Sequence, residues 1–458
     1  MVRALWTLSA VLMLLASGCV LAPPETNHEK ARLDDAGKPF EPAVENRETP
    51  ELPDTPTWRE VLRRAFLTNG ELEASYFQWK AAMYRIDQAA TWPNSNVSLG
   101  FSYLFSGEKM KSWDRTTISA GFDPAMNLSF PTKTMQAGKV ALDDARAAGL
   151  KFEQDKFNLQ KKVLEAWLDY ARMAELERIE KDNVELLKLL SDTAAARVQA
   201  GGPQQDLLKA QIQYRLAENE LATMQSQLDS MRAMLNAMVA RDPNAPLQPP
   251  PELPEPRPIP VGDDRIIAVA VDRNKELAGL ARQVEGRRDA LELARMRWIP
   301  DINPTAGFTG SIEQFVGAAI MLPTTGPMIE GAINESRANL RAQEAMLRQG
   351  KLDRSAQVVA ALLLARNAER QSALFEKIVL PQAQQTLDSA RQSYAAATLA
   401  FIELIDAQRT LLDVRRIIAE ARITREKALA ELESLICADV ETLAAPATAT
   451  SELLEKKS

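Results

Sequence analysis

The sequence predicts a mainly α-helical chain that also carries a small transmembrane β-barrel portion. Three observations lead there. A proline-to-glycine block occurs twice with the same internal spacing: Trp92-Pro93 leads to Gly100-Phe101, and Trp298-Ile299-Pro300 leads to Gly307-Phe308. A second proline, Pro131 or Pro323, then precedes a very long helical run, so the chain reads as a duplicated unit of helix, hairpin, long helix and helix. Between the two prolines of each copy, apolar and polar residues alternate with the period of a strand.

Bulk composition narrows the function classes. The chain has 458 residues, and its 46% hydrophobic and 26% charged content is that of a folded protein. Aromatics make up only 6%, which favours helices packed through Ala and Leu. A formal net charge of -7 argues against nucleic-acid partners. The single histidine, His28, lies in a polar stretch, so a catalytic or metal centre built on histidine is not expected. Nor is there a phosphate loop, a metal-ligand cluster or a nucleophile-base constellation, so neither enzyme activity nor a cofactor is expected.

At the N-terminus Arg3 supplies a positive charge and Leu5 to Leu15 an apolar stretch, and Ala16-Ser17-Gly18 precede Cys19. This order resembles a bacterial lipoprotein lipobox, with Ala16 where leucine is commoner. Residues 1–18 then form the signal peptide and Cys19 carries acyl chains. The plainer alternative is an ordinary cleaved signal with an incidental cysteine. Cys437 is left without a partner, so no intrachain disulfide is expected. No later apolar run reaches the length of a transmembrane helix, so a membrane crossing would need a closed barrel.

Residues 19–56 are rich in Pro, Glu, Asp and Asn and read as an extended tether. The first repeat spans 57–241: a helix over Trp58 to Thr91, a hairpin, a helix over Pro131 to Ala200, and a helix over Pro203 to Ala240. The long helix would measure about 105 Å at ~1.5 Å per residue. Residues 242–262 form a Pro-rich linker, with Pro249, Pro250, Pro251, Pro254, Pro256, Pro258 and Pro260 excluding helix. The second repeat spans 263–437, with helices expected over 263–298, 324–396 and 398–437 and a kink at Pro381. Residues 438–458 are expected to be disordered.

Apolar positions such as Phe157, Leu164, Trp167, Tyr170 and Ala174 recur at helical steps, which fits coiled-coil-like packing. Periodicity alone leaves a soluble bundle and a helical tube equally open. The hairpins decide between them. Val97, Leu99, Phe101, Tyr103 and Phe105 alternate with Ser98, Gly100, Ser102 and Leu104, Ile118, Ala120 and Phe122 alternate with Thr117, Ser119 and Gly121, and the stretch Met126, Leu128, Phe130 continues the period. In the second copy Ala306, Phe308 and Gly310 alternate with Thr305, Gly307 and Thr309, and Val316 to Leu322 is apolar on both faces. Such segments are long enough to cross a bilayer as tilted strands. Pro304 is tolerable only near a strand start. The polar loop around Ser106 to Arg115 is placed outside the cell.

Two helix turns complete the pattern. The first reads Arg197-Val198-Gln199-Ala200-Gly201-Gly202-Pro203, followed by Asp206 and Ala210-Gln211; the second reads Tyr394-Ala395-Ala396-Ala397-Thr398, followed by Glu403, Asp406 and Ala407-Gln408. Taken in this order, the features resemble the TolC-type outer-membrane efflux channels (the outer membrane factor lipoproteins) over about residues 57–437. Family members have glycine where this chain has Ala397.

The resemblance implies a homotrimer in which three chains give four strands each to one twelve-stranded β-barrel, above a periplasmic α-barrel of long coiled-coil helices. It implies an outer-membrane location in a Gram-negative bacterium, lipid-anchored and extending into the periplasm. The implied partners are a periplasmic adaptor protein, an inner-membrane efflux transporter and outer-membrane lipid. The channel would be a passive duct of a tripartite efflux pump or type I export system. By the same resemblance, Glu403 and Asp406 are candidates for a ring of acids at the narrow mouth; the plainer alternative is two solvated acids on one helix face. Lys209 is the counterpart of Asp406 in the first repeat. The adaptor-contact candidates are Arg197, Ala200, Gly201, Gly202, Tyr394, Ala397 and Thr398. A periplasmic adaptor lipoprotein is the alternative, but adaptors have one hairpin between two β-rich halves. A coiled-coil spacer without a pore would leave the strands unexplained. The exported substrate, metal ion or drug, is not separated by the sequence.

Overall fold

The computed structural model describes residues 21–91, 97–105, 109–122, 129–259, 262–311, 313–396 and 398–444. The signal peptide, Cys19, Trp92, Pro93, Met126, Leu128 and Ala397 therefore lie outside the described residues, as does the tail beyond 444. The chain forms two compact units, one from Met1–Lys38, Ala74–Phe152 and Glu276–Gly350, the other from Pro39–Glu73, Glu153–Lys275 and Lys351–Ser458.

The first unit holds the strands. β1 (Val97–Tyr103), β2 (Thr116–Phe122), β3 (Asp301–Thr309) and β4 (Glu313–Met321) form one antiparallel sheet in that order. The two hairpins are joined by β2–β3 pairing, with Ile118 opposite Phe308 and Gly121 opposite Thr305. Gly100 faces Ser119, and a Cβ there would come within 2.4 Å of the Ser119 hydroxyl, so a side chain would require that hydroxyl to rotate away. Phe130 falls past the strand, directly before a helix, so the alternation it continues does not extend β2. Pro304 is the fourth residue of β3, opposite Ala318, further inside the strand than expected. Each outer strand, β1 and β4, has a single neighbour.

Of the stretch expected to be an extended tether, the described residues 21–56 are not extended throughout. α1 (Thr26–Gly37) lies within them, and it packs along α3 (Gly70–Ala89). Lys30 pairs with Asp87 at 3.2 Å, Arg32 stacks over the Trp79 ring at 5.7 Å, and the Leu21 amide donates to the Ala90 carbonyl at 2.9 Å. Leu33 is buried, and buried Glu29 is matched by Arg32 one turn on. The polar composition concealed this helix, because its few apolar residues suffice when its charges are paired. Beneath it, Tyr76 and Trp79 pack on Phe152 at 6.0 and 5.8 Å between ring centres.

In the second unit the helices expected as continuous are broken at two asparagines. α2 (Trp58–Thr68) ends at Asn69, whose ψ of 118° is extended and whose side-chain oxygen accepts from the Glu71 and Leu72 amides to start α3. α6 (Asp263–Arg273) ends in the same way at Asn274, ψ 118°, before α7 (Lys275–Arg295). The buried Asn274 amide donates to the Leu435 carbonyl at 2.7 Å. A short polar side chain that can bond its own backbone favours caps over helix interiors, and the break at Asn69 uses that property.

α4 (Pro131–Gln199) is a single helix of 69 residues, followed by α5 (Gln204–Met238). The corresponding run of the second repeat is α8 (Gly326–Leu374), a π-helical turn over Phe375–Val379, and α9 (Leu380–Ala395), then α10 (Phe401–Ile436). The π turn sits directly before Pro381, where the missing amide hydrogen leaves the helical ladder one donor short. α5 shows a seven-residue seam in which Ala210, Ala217 and Met224 are buried.

The Pro-rich segment has no helix among its described residues, as its prolines require, but it is not a free connector. The Tyr170 hydroxyl donates to the Leu247 carbonyl at 2.7 Å, and burial pushes that phenol up to about 12. Arg257 enters a buried cluster on α10, bonding Glu426 at 2.9 Å and Glu433 at 2.8 Å. Residues 438–444 are ordered, against expectation: Val440 and Leu443 belong to a core with Leu432, Leu435 and Ile266.

Candidate functional site

The two helix tips lie in the second unit and share one core. Leu187, Leu190 and Ala194 of α4, Ala210 of α5, Leu387 and Ala390 of α9, and Leu404, Ile405 and Leu411 of α10 are all buried together. Truncating a core leucine such as Leu404, fully buried, would cost about 2–5 kcal/mol in a typical protein interior.

Both tips close by the same hydrogen bond. In the first, the Gly202 amide donates to the Arg197 carbonyl at 2.8 Å and the Gly201 amide to Val198 at 3.0 Å, with Gly201 at φ +91°. That is a left-handed helix cap, and glycine adopts it without strain. In the second, the Thr398 amide and hydroxyl both donate to the Ser393 carbonyl at 2.9 Å. Gly202 is followed directly by the N-cap Pro203, whereas Leu399 stands between Thr398 and the N-cap Ala400. The second loop is thus one residue longer. A single offset aligns the helices after the turns but not those before them.

Of the expected adaptor contacts, Ala200 and Thr398 are exposed, as is Gly201, and Gly202 is partly exposed. Tyr394 is not a surface contact. It is 1% exposed, with its ring 5.6 Å from Phe401 and the Arg197 guanidinium 4.3 Å above it. Burial, and after it the nearby Asp206 carboxylate, raises its hydroxyl above the ordinary phenol range. Arg197 and Asp206 of the first tip and Tyr394 of the second are therefore brought together to lock the tips against each other. Tyr394 was a contact candidate only through the resemblance of the second tip.

Glu403 and Asp406 are both exposed, one turn apart on α10, and neither is ion-paired with a described residue. Behind them is a feature that the sequence reading missed. Gln408 donates to Asn183, Asn183 to Glu180 at 2.9 Å, and Arg416 to Glu180 at 2.8 Å. This buried polar chain ties α10 to α4 and flanks a groove of about 390 Å³ that Asp182, Asp388, Arg391 and Arg415 also line. The only sequence signal was the pair Ala407-Gln408, which repeats Ala210-Gln211; Gln211 itself is exposed.

At the sheet, apolar side chains point into solvent. Phe101 is 72% exposed and Ile320 62%, and near the strand ends Phe105, Leu322 and Trp298 are exposed as well. No helix among the described residues is long and apolar enough to cross a membrane.

No protein-family model and no curated protein sequence matches the chain. Solved structures do. The outer membrane protein VceC from Vibrio cholerae matches with a TM-score of 0.71 at 15% identity, over 84% of this chain and 96% of that one. The MtrE outer membrane channel of Neisseria gonorrhoeae, in its open state, matches with a TM-score of 0.68 at 15% identity, over 85% and 91%. The CmeC outer membrane channel of Campylobacter jejuni matches with a TM-score of 0.66 at 12% identity, over 87% and 89%. The chain has the fold of these outer-membrane channels.

Proposed function

We propose that the protein is the outer-membrane channel of a tripartite efflux pump or type I export system, a passive trimeric duct that docks through a periplasmic adaptor onto an inner-membrane transporter. The four-stranded sheet carries this reading, because its exposed apolar side chains suit lipid and its two outer strands need partners. An open edge is a liability that a closed barrel removes, and a trimer of such sheets would make a twelve-stranded barrel. The periplasmic adaptor reading is not favoured, since the matching structures are channels.

The second unit supports a ring of copies. Leu208, Ile212 and Leu216 of α5 are 52–60% exposed at steps of four, outside the buried seam of that helix. Leu352, Val359 and Leu363 of α8 form a second exposed stripe, opposite buried Val358, Leu362 and Ala365. Two different apolar stripes on one chain suit a head-to-tail contact, which closes into a ring.

In this trimer the exposed acids Glu403 and Asp406 would gather at the narrow mouth, and rings of carboxylates favour cations. Ala200, Gly201, Gly202 and Thr398 remain the adaptor-facing candidates, with Ala397 of the second turn. Planar-bilayer recording tests the reading. The wild type is expected to conduct and to prefer cations, and converting both acids to Ala is expected to lower cation selectivity and weaken block by trivalent cations. Purified protein that never conducts would overturn the channel reading; unchanged selectivity and block in the variant would remove these two acids from the mouth.

Lipidation at Cys19 belongs to the same proposal. Cys19→Ala is expected to abolish metabolic labelling by radioactive palmitate and to leave an unprocessed precursor on denaturing gels. Normal labelling would refute the assignment.

A further inference from the structure

The β1–β2 connection is the largest polar insertion in the sheet, and its described residues 109–115 are tied to the β3–β4 turn. The Asp114 carboxylate accepts from the Ser311 amide at 3.0 Å and also from the Ser311 hydroxyl. The Gly310 amide donates to Thr116 at 2.9 Å, and the Asp114 amide to Lys111 at 2.9 Å. Gly310 has φ +47°, and a Cβ there would meet the Trp113 carbonyl and Asp114 backbone at 2.4 Å, so the loop presses directly on the β3–β4 turn. Both turns lie at the end of the sheet away from the helices, because each hairpin enters from a helix and returns to one.

What the described residues of the loop present is amphipathic. Leu104 is 58% exposed, Phe105 90% and Trp113 44%. Lys109 and Lys111 are exposed beside them, and neither is ion-paired with a described residue. Asp114 is held by Ser311 and also attracts Lys111, and Glu108 stands next to Lys109, so Lys109, Lys111 and Arg115 outnumber the two acids of the segment by one charge. Aromatic rings with lysines at the end of a membrane strand match the boundary between acyl chains and phosphate headgroups.

The geometry points to a lipid-docking surface on this loop, in which Trp113, Leu104 and Phe105 enter the apolar edge of the bilayer and Lys109 and Lys111 bind anionic phosphate headgroups. The inference rests on the membrane reading of the sheet. It goes beyond it by assigning a headgroup class and the residues that select it. The Asp114–Ser311 bonds, with the Asp114 amide bond to the Lys111 carbonyl, tie this side of the loop to the β3–β4 turn.

The full chain is reconstituted into phosphatidylcholine vesicles containing a trace of dansyl-labelled phosphatidic acid, and energy transfer from protein tryptophan to the label is titrated with unlabelled phosphatidic acid. A lysine near an anionic surface is worth about fivefold in association, so K109E/K111E is expected to weaken the apparent affinity by at least ~10-fold. Raised salt should weaken the wild type towards the variant. Lys209→Glu, at the helix tip, is the control and is expected to change nothing. Equal affinity in wild type and K109E/K111E would overturn the proposal. Flotation of the protein with pure phosphatidylcholine vesicles separates the two readings: failure to float counts against the membrane sheet itself, whereas flotation without phosphatidic acid preference counts only against the loop.

Discussion

Replacing Ile212 and Leu216 by Asp is expected to convert the protein from an oligomer into a monomer in mild detergent. Both residues are exposed on α5, 57% and 60%, on a face that the buried seam does not use. Covering such side chains contributes about 1.5–3 kcal/mol each, repeated at every contact of a closed ring. A carboxylate in that position must instead be desolvated without a partner, so the variant loses the apolar gain and adds a penalty. Light scattering on the detergent-purified protein measures the result. The fold of each chain should survive, because Ala210, Ala217 and Met224 still fill the seam, and helical circular dichroism is expected to match the wild type. An unchanged oligomer would place this stripe outside the chain-to-chain contact.

Replacing Arg257 by Met is expected to destabilise the second unit by about 3–5 kcal/mol, the usual result of removing one partner of a buried charge cluster. Arg425 still bonds Glu426 at 2.6 Å, so Glu426 keeps a cation. Glu433, 1% exposed at its side chain, keeps only a weak bond from the Val440 amide at 3.4 Å. Burial already raises the Glu433 carboxyl above its ordinary 4.5, and this outweighs the opposing pull of Arg257. A carboxyl raised in the folded state binds more protons there than in the unfolded chain. Its contribution is therefore full below pH 4.5 and falls as pH rises through the folded value. Losing Arg257 removes the pull and raises the carboxyl further. The deficit of the variant should accordingly be larger at pH 7 than at pH 5, and Glu433→Gln in the same chain should recover much of it. Guanidinium unfolding followed by circular dichroism at both pH values is the check. An equal deficit at both values would show that Glu433 is not the stranded group.

The duplicated proline-to-glycine blocks are a local pattern, and local pattern marked the strand-like stretches and the start of the long helix at Pro131, although it carried the second strand's period on to Phe130. Helical periodicity needs no partner to be read, and Pro131, Pro203 and Pro381 mark starts or faults in helices by their own covalent geometry. Gly201 takes the left-handed conformation, with φ +91°, that a glycine after a helix adopts without strain. The asparagine breaks at Asn69 and Asn274 were harder, since asparagine inside a helical pattern costs little and signals little. Their agreement with each other across the repeats was the available clue.

By itself the sequence determined the repeat, the hairpins, the helical runs and the exclusion of helix from the Pro-rich segment, because each follows from periodicity or from backbone chemistry within a short window. Only the tertiary structure decided that β2 pairs with β3, that residues 26–37 fold back as a helix, that Arg257 plugs a pair of buried acids 169 and 176 residues away, and that Tyr394 stacks under Arg197 where a surface contact had been expected. These are pairings between distant segments. A charged or aromatic residue has the same local signature whether it faces water or a partner, and its burial depends on which other segment arrives to satisfy it.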